Sequence, residues 1–376
     1  MEHPVYMDHN ATTAVRPAVG QAVAHALDLT GNASSVHGPG RAARKLIEDA
    51  RDRVGALAGA HAQDVVFTSG GTEANNLVLN GWKRVLVSAV EHASVLKVRP
   101  DIEIIPVDGN GIVDLQALDG MLADTSIGMA PVLVSVMLAN NETGVIQPIA
   151  EVSALAEKHG AQVHCDAIQA AGKISVSMAD LGVHMLSLSA HKIGGPQGVG
   201  ALVLSPDGAA LSPMLLGGGQ ERSRRAGTEN LPGIAGFGVA AEEALNALSD
   251  TARLAVWRDR IEEELGRHTG VHVFGAGAPR LANTSCLTMP GVAAERQIIA
   301  FDLAGVALSA GSACSSGKVE PSHVLAAMGV EMDEAATAIR ISLGWTTTEQ
   351  DIDAFLAAWA DIYGRAGTTG KDVEAA

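Results

Sequence analysis

The chain alternates two hydrophobic patterns. Short, near-continuous apolar runs occur at DVVFTSG (64–70), RVLVSAV (84–90), IEIIPV (102–107), PVLVSVMLAN (131–140), QVHCDA (162–167), MLSLSA (185–190) and VGALVLS (199–205). Between them lie stretches with helical spacing. At 41–58, Leu46, Ile47, Ala50, Val54 and Leu57 recur on one face, with Arg44, Glu48, Asp49 and Arg51 between them. Apolar strands separated by helices predict an α/β fold with a mainly parallel seven-stranded sheet, covered on both faces. The last two runs are joined by a Gly-rich loop and are free to pair differently.

After about residue 248 the texture changes. A charged helix is predicted at 253–268, followed by shorter strands in NTSCLTMP and AIRISLG. The chain therefore divides into a large domain over 14–247 and a smaller α+β domain made of 1–13 and 248–376. The polar, Gly-rich tail GRAGTTGKDVEAA is expected to be disordered.

A length of 376 residues fits one large and one small core. Aromatics are only 3%, so aliphatic side chains must fill those cores. The formal net charge of −16 argues against a direct nucleic-acid ligand and leaves room for basic protein partners. No apolar run approaches the roughly 18 residues of a membrane span, and the first residues lack a signal-peptide pattern. Three cysteines, Cys165, Cys286 and Cys314, are widely spaced and odd in number. That pattern predicts no disulfide framework and a cytoplasmic setting.

Ligands of open α/β sheets sit beyond the carboxyl ends of the strands. The polar residues at those ends are 68–72, Glu91-His92, Asn140-Asn141, Asp166 and 189–192. Lys192 follows an apolar strand. It is either a solvated lysine or, buried near other cations, a Schiff-base nucleophile. Asp166 ends QVHC and is expected to open a helix, AIQAAGK. It is either a helix cap or a carboxylate facing a pyridinium nitrogen, with Gln169 on the same side. The turn at 69–73 carries glycines before a helix start, where free amides attract phosphate. It is neither a Walker loop nor a GxGxxG motif. His92 is either structural or a ring stacked on a planar cofactor, where it could also move protons near neutral pH. Cys165 and Cys286 lie in apolar strands and read as core. Cys314 lies among small residues in LSAGSACSSGKVEPSHVL, a context that suits a reactive thiol. Arg340, inside an apolar strand, needs either an ion-pair partner or a substrate carboxylate.

Together these motifs resemble the cysteine desulfurases of the NifS/IscS type, in the class V aminotransferase family. The resemblance runs from about residue 4 to 363 through YMDHNATT (6–13), FTSGGTEANN (67–76), EHASVL (91–96), NNETGVIQP (140–148), CDAIQAAGK (165–173), SLSAHKIGGPQGVGAL (187–202), GGGQERSRRAGTEN (217–230), SAGSACSSGKVEPSHVL (309–325) and IRISLG (339–344). It implies the fold type I of pyridoxal-phosphate (PLP) transferases and conversion of L-cysteine to L-alanine. Lys192 would hold the cofactor, Asp166 the ring nitrogen, Gln169 the ring hydroxyl, and His92 would stack on the ring. Gly71, Thr72, Ser189 and His191 would hold the phosphate. Thr228 would reach the cofactor of a neighbouring subunit, which implies a homodimer. Asn141 and Arg340 would bind the substrate carboxylate. Cys314 would carry sulfur as a persulfide to an acceptor protein such as an iron–sulfur scaffold. No metal is implied. A selenocysteine lyase or an aminotransferase on the same fold is the alternative. His9 and Gln197 depart from the family pattern, away from these roles.

Overall fold

The computed structural model describes residues 4–124, 131–208, 211–310 and 322–373. Its strands, in chain order, are β1 (Val5–Tyr6), β2 (Val65–Thr68), β3 (Arg84–Ser88), β4 (Glu103–Ile105), β5 (Val132–Ser135), β6 (Gln162–Asp166), β7 (Met185–Ser189), β8 (Gly200–Leu204), β9 (Thr284–Thr288), β10 (Val306–Ala307), β11 (Ser309–Ala310) and β12 (Ala338–Ser342). Among the described residues, seven strands form one sheet in the order β2-β8-β7-β6-β5-β3-β4. Pairings within β7-β6-β5-β3-β4 are parallel, whereas β8 runs antiparallel to both β2 and β7. The link from β7 to β8 is too short for a helical crossover, so β8 must turn back beside β7.

Successive side chains along these strands feed two apolar layers. Val85 and Val87 of β3, Met185 of β7 and Leu202 of β8 pack on one face with Leu77 and Val78 of the helix Gly71–Leu79. Leu86, Leu186, Leu188 and Val203 pack on the other with Ile47, Val54 and Phe237. The expected helix at 41–58 is Gly38–Leu57, capped by His37, whose side chain accepts the Gly40 amide.

A separate apolar cluster gathers β1, β9, β10, β11 and β12 with the helices Thr251–Leu265, Ala294–Leu303 and Glu349–Val373. Met7, Phe301, Phe355 and Trp359 are all fully buried there. The N-terminal strand thus packs with the C-terminal elements. The final helix runs on through Val373, over a stretch expected to be disordered. Its apolar residues Ile352, Phe355 and Trp359 are anchored in the cluster, and each further turn adds a hydrogen bond per residue without a new nucleation cost.

Candidate active site

Parallel strands leave their carboxyl ends on one side of the sheet, and there the chain builds a cavity of about 540 Å³. Gly71, Thr72, His92, Asn141, Asp166, Gln169, Ser189, His191, Lys192 and Arg340 all line it. The structure therefore brings ten of the twelve residues singled out from the sequence to one place. Thr228 is exposed and does not line the cavity. Cys314 lies outside the described residues.

Lys192 ends the short turn Ala190–Lys192 that follows β7. Its Nζ donates to the carbonyls of Asn10 and Ala11, at 2.5 and 2.7 Å. Among the described residues, no carboxylate forms an ion pair with it. Burial, followed by the charge of Arg340, lowers its pKa to about 8, with Asp8 and Asp166 opposing. An amine that titrates there is partly neutral near physiological pH and so is nucleophilic. Its part-buried position and two carbonyl partners favour the second of the two readings from the sequence.

Asp166 ends β6, next to β7 in the sheet. Its Oδ1 accepts the Ile168 amide at 2.9 Å and its Oδ2 accepts the Asn75 carboxamide at 2.7 Å. The residues after it form turns, not the expected helix. Gly172, at φ +72°, turns the chain away before a helix can propagate. Gln169 nonetheless faces the cavity. Burial raises the Asp166 pKa, while its hydrogen bonds and the charges of His92 and Lys192 act against the rise. A buried carboxylate held by neutral donors favours a cation placed beside it.

Asn75 was not legible in the sequence as a site residue. It is fully buried, and its Nδ2 bridges Asp166 and Ser94 Oγ, the latter at 2.9 Å. Ser94 in turn holds His92, whose Nδ1 accepts the Ser94 amide at 3.1 Å and lies 2.8 Å from its hydroxyl. A ring nitrogen that accepts an amide carries no proton, which assigns the proton of neutral His92 to Nε2. Burial lowers the His92 pKa, with Asp166 opposing.

Arg340 sits in β12 opposite Ser309 of β11 and Cys286 of β9. Its Nη1 donates to the Asn141 carbonyl at 3.0 Å, and its Nη2 to Asp8 Oδ1 at 2.7 Å. The guanidinium thus has the expected ion-pair partner, and it also lines the cavity. Asp8 and Asn10, which supply that partner and a carbonyl for Lys192, were missed. They arrive from the far end of the chain through the bridge Asp8↔Ser342, and no local pattern announces it.

At the other end of the cavity, Gly71 opens a nine-residue helix. Its first amides lack partners within the helix. Thr72 and Ser189 add hydroxyls, and His191 adds a ring kept neutral by burial and by the charges of Lys192 and Lys173, with a pKa of about 4. β8 passes close beneath: a Cβ at Gly200 would lie 2.6 Å from the carbonyl carbon of Gly70. This donor set suits a phosphate. The segment leading to Thr228 is pinned to β2, because the Glu221 carboxylate accepts from both Arg51 Nη atoms, at 2.7 and 2.8 Å, and from the Phe67 amide.

The flanks of the stretch that holds Cys314 are fixed to the cavity walls. Before it, β11 pairs with β12 beside Arg340. After it, Ser322 Oγ donates to Glu142 Oε2 at 2.5 Å, and His323 Nε2 donates to the Glu91 carbonyl at 2.9 Å. Cys165 and Cys286 are fully buried, as read from the sequence, and burial pushes both thiols up in pKa.

Residues 5–355 match the model of the aminotransferase class-V family. A cysteine desulfurase of Cereibacter sphaeroides is 42% identical over 370 residues, covering 94% of each chain. A cysteine desulfurase IscS of Dictyoglomus turgidum (strain DSM 6724 / Z-1310) is 40% identical over 371 residues, covering 94% of this chain and 93% of that one. The X-ray structure of a NifS-like protein from Rickettsia africae superposes with a TM-score of 0.89 at 37% identity, over 96% of this chain and 100% of the other. The matched stretch contains every cavity residue from Asp8 to Arg340, and the chain belongs to the class-V aminotransferase family.

Proposed function

We propose that this chain is a PLP-dependent cysteine desulfurase, which converts L-cysteine to L-alanine and takes the sulfur onto Cys314. The observation that carries this reading is the pair Lys192 and Asp166, which face one cavity from the ends of neighbouring strands. The residues fit the cofactor. The volume, about 540 Å³, is that of a ligand pocket. A partly neutral amine, a buried carboxylate that favours a cation and a helix start with added hydroxyls match an aldehyde, a ring nitrogen and a phosphate.

Lys192 would attach the cofactor, Asp166 would hold the ring nitrogen and Gln169 the ring hydroxyl, with His92 against the ring. Gly71, Thr72, Ser189 and His191 would hold the phosphate. Arg340 and Asn141 would hold the substrate carboxylate. When bound, PLP supplies a ring that withdraws electrons from the carbon bearing the substrate amine. Lys192 Nζ, once free, moves the proton of that carbon. His92, which lines the cavity, holds its proton at Nε2. The Cys314 thiolate attacks the substrate sulfur, so an S–S bond forms as the C–S bond breaks. The Cys314 persulfide remains, and the three-carbon product takes up protons and leaves as alanine.

Two domains, over 14–247 and over 1–13 with 248–376, agree with the separate apolar clusters. A homodimer is supported by the exposed Thr228 and by the exposed Met214, Leu215 and Leu216 on the same segment. No helix among the described residues is long and apolar enough to cross a membrane. We place the protein in the cytoplasm, passing sulfur to an acceptor protein such as an iron–sulfur scaffold.

The test is to incubate the protein with L-cysteine and a thiol reductant, and to quantify alanine and sulfide for wild type and Cys314→Ala. Equal alanine and sulfide from wild type, and little of either from the variant, are expected. Full activity in the variant, or pyruvate in place of alanine, would overturn the reading.

A further inference from the structure

Lys173 has no part in the roles above, yet its amine lies deep in the site. It lines a second cavity, of about 170 Å³, that shares Lys192 with the main one. Its Nζ donates to the Gln169 carbonyl at 2.9 Å and to Gln169 Oε1 at 2.8 Å, and lies 3.5 Å from Asn10 Oδ1. Among the described residues, no carboxylate forms an ion pair with it.

The two ends of a carboxamide differ in sense: the oxygen accepts and the nitrogen donates. An ammonium only donates, so it must take the oxygen end. Gln169 is then left with Nε2 on its other side, where it donates to the Asn10 carbonyl at 2.9 Å. That carbonyl also accepts from Lys192. Gln169 lines the main cavity and Lys173 does not.

We propose that Lys173 is a positioning residue that fixes the Gln169 carboxamide with its N–H end toward the main cavity, ready to donate to an acceptor oxygen of the bound cofactor. The inference rests on the PLP reading, whose ring hydroxyl oxygen is such an acceptor. Without Lys173, the Asn10 carbonyl alone selects the nitrogen end of the carboxamide. Burial, with the charges of Lys192 and Arg340 adding, brings the Lys173 pKa down to about 7, so the donor-only ammonium that selects the oxygen end prevails below neutral pH. A buried amine among cations is unfavourable for folding alone, which fits a residue retained for orientation.

The test titrates PLP into apoprotein and records the dissociation constant and the cofactor absorbance spectrum for Lys173→Met, Lys173→Arg, Gln169→Leu and the double variant Lys173→Met/Gln169→Leu. Lys173→Met is expected to weaken PLP binding about tenfold and to alter the spectrum. Lys173→Arg restores both, since a guanidinium also only donates and the second cavity gives it room. The double variant binds no more weakly than Gln169→Leu, because both changes remove one interaction. Lys173→Gln is measured in parallel, with thermal unfolding of each apoprotein, so that a misfolded methionine variant does not decide the result. Single losses that multiply in the double variant, or a Lys173→Met and a Lys173→Gln protein that both bind and absorb like wild type, would overturn the inference. A wild-type protein that binds no PLP would instead sink the desulfurase reading itself, whatever the Lys173 variants do.

Discussion

Arg340 already holds a carboxylate: its Nη2 lies 2.7 Å from Oδ1 of Asp8. On the proposed reading, a substrate carboxylate bound at Arg340 must share or displace that partner. Asp8→Asn is therefore expected to lower the KM for L-cysteine a few-fold with a smaller change in kcat. Arg340→Lys loses the planar two-point grip, at about 2 kcal/mol, and raises KM roughly 30-fold. Steady-state alanine formation measures both. A KM that rises in Asp8→Asn would mean that Asp8 orients the guanidinium and does not compete for it.

Lys192 carries a stability penalty of predictable sign. Its pKa falls from 10.5 unfolded to about 8 folded. Between those values the unfolded chain binds more protons, so stability rises with pH through that window and the full penalty applies below it. At pH 7, Lys192→Met is expected to raise the stability of the apoprotein by about 1–3 kcal/mol while alanine formation is lost. Urea unfolding of both apoproteins checks this; a variant no more stable than wild type would show that the amine is well solvated.

Ser94 sets which nitrogen of His92 bears the proton. The Ser94 amide cannot be removed by substitution, but its hydroxyl can. Ser94→Ala leaves Asn75 Nδ2 without one of its two acceptors and loosens the ring. A fall in kcat of about tenfold with little change in KM is expected, against roughly 10²–10⁴-fold for His92→Ala. A Ser94→Ala enzyme with unchanged kcat would show that the main-chain contact suffices.

Two further histidines make the fold sensitive to acid. His9 and His164 are buried, and burial lowers their pKa values from 6.5 to about 4 and about 3. The unfolded chain takes up protons at 6.5 that the folded chain refuses, so stability falls as pH drops below 6.5. The urea midpoint is expected to decline already between pH 6.5 and 5, above the range of ordinary carboxylates. A flat midpoint over that interval would mean that both rings titrate normally.

All seven apolar runs read from the sequence became strands of the one sheet. They were legible because a strand buried on both faces is apolar at nearly every position. The chemistry at their ends was legible for a related reason, since polar residues stand out where such runs stop. Residues acting across long separations were not legible. Asp8 meets Arg340 over 332 positions. Asn75 and Asn76 look alike in the sequence, yet only Asn75 points Nδ2 at Asp166. Lys173 ends the CDAIQAAGK motif and reads there as an ordinary polar residue. The helix expected in that motif failed for a local reason, the left-handed glycine that follows, and the helix unexpected at the C-terminus formed because packing upstream anchors it.

The pairing of β11 with β12 puts a leash on the chemistry. Ala310 is held opposite Ile339, one residue from Arg340, and Cys314 follows four residues later. Four residues of fully extended backbone span at most roughly 14 Å. On the proposed reading, this chain length keeps the Cys314 thiol tethered near the cavity, at an effective concentration of roughly millimolar or above. The same leash forbids delivery at a distance. On the proposed reading, a protein that collects sulfur from Cys314 must come within that radius, on the cavity side of the sheet and not its far side.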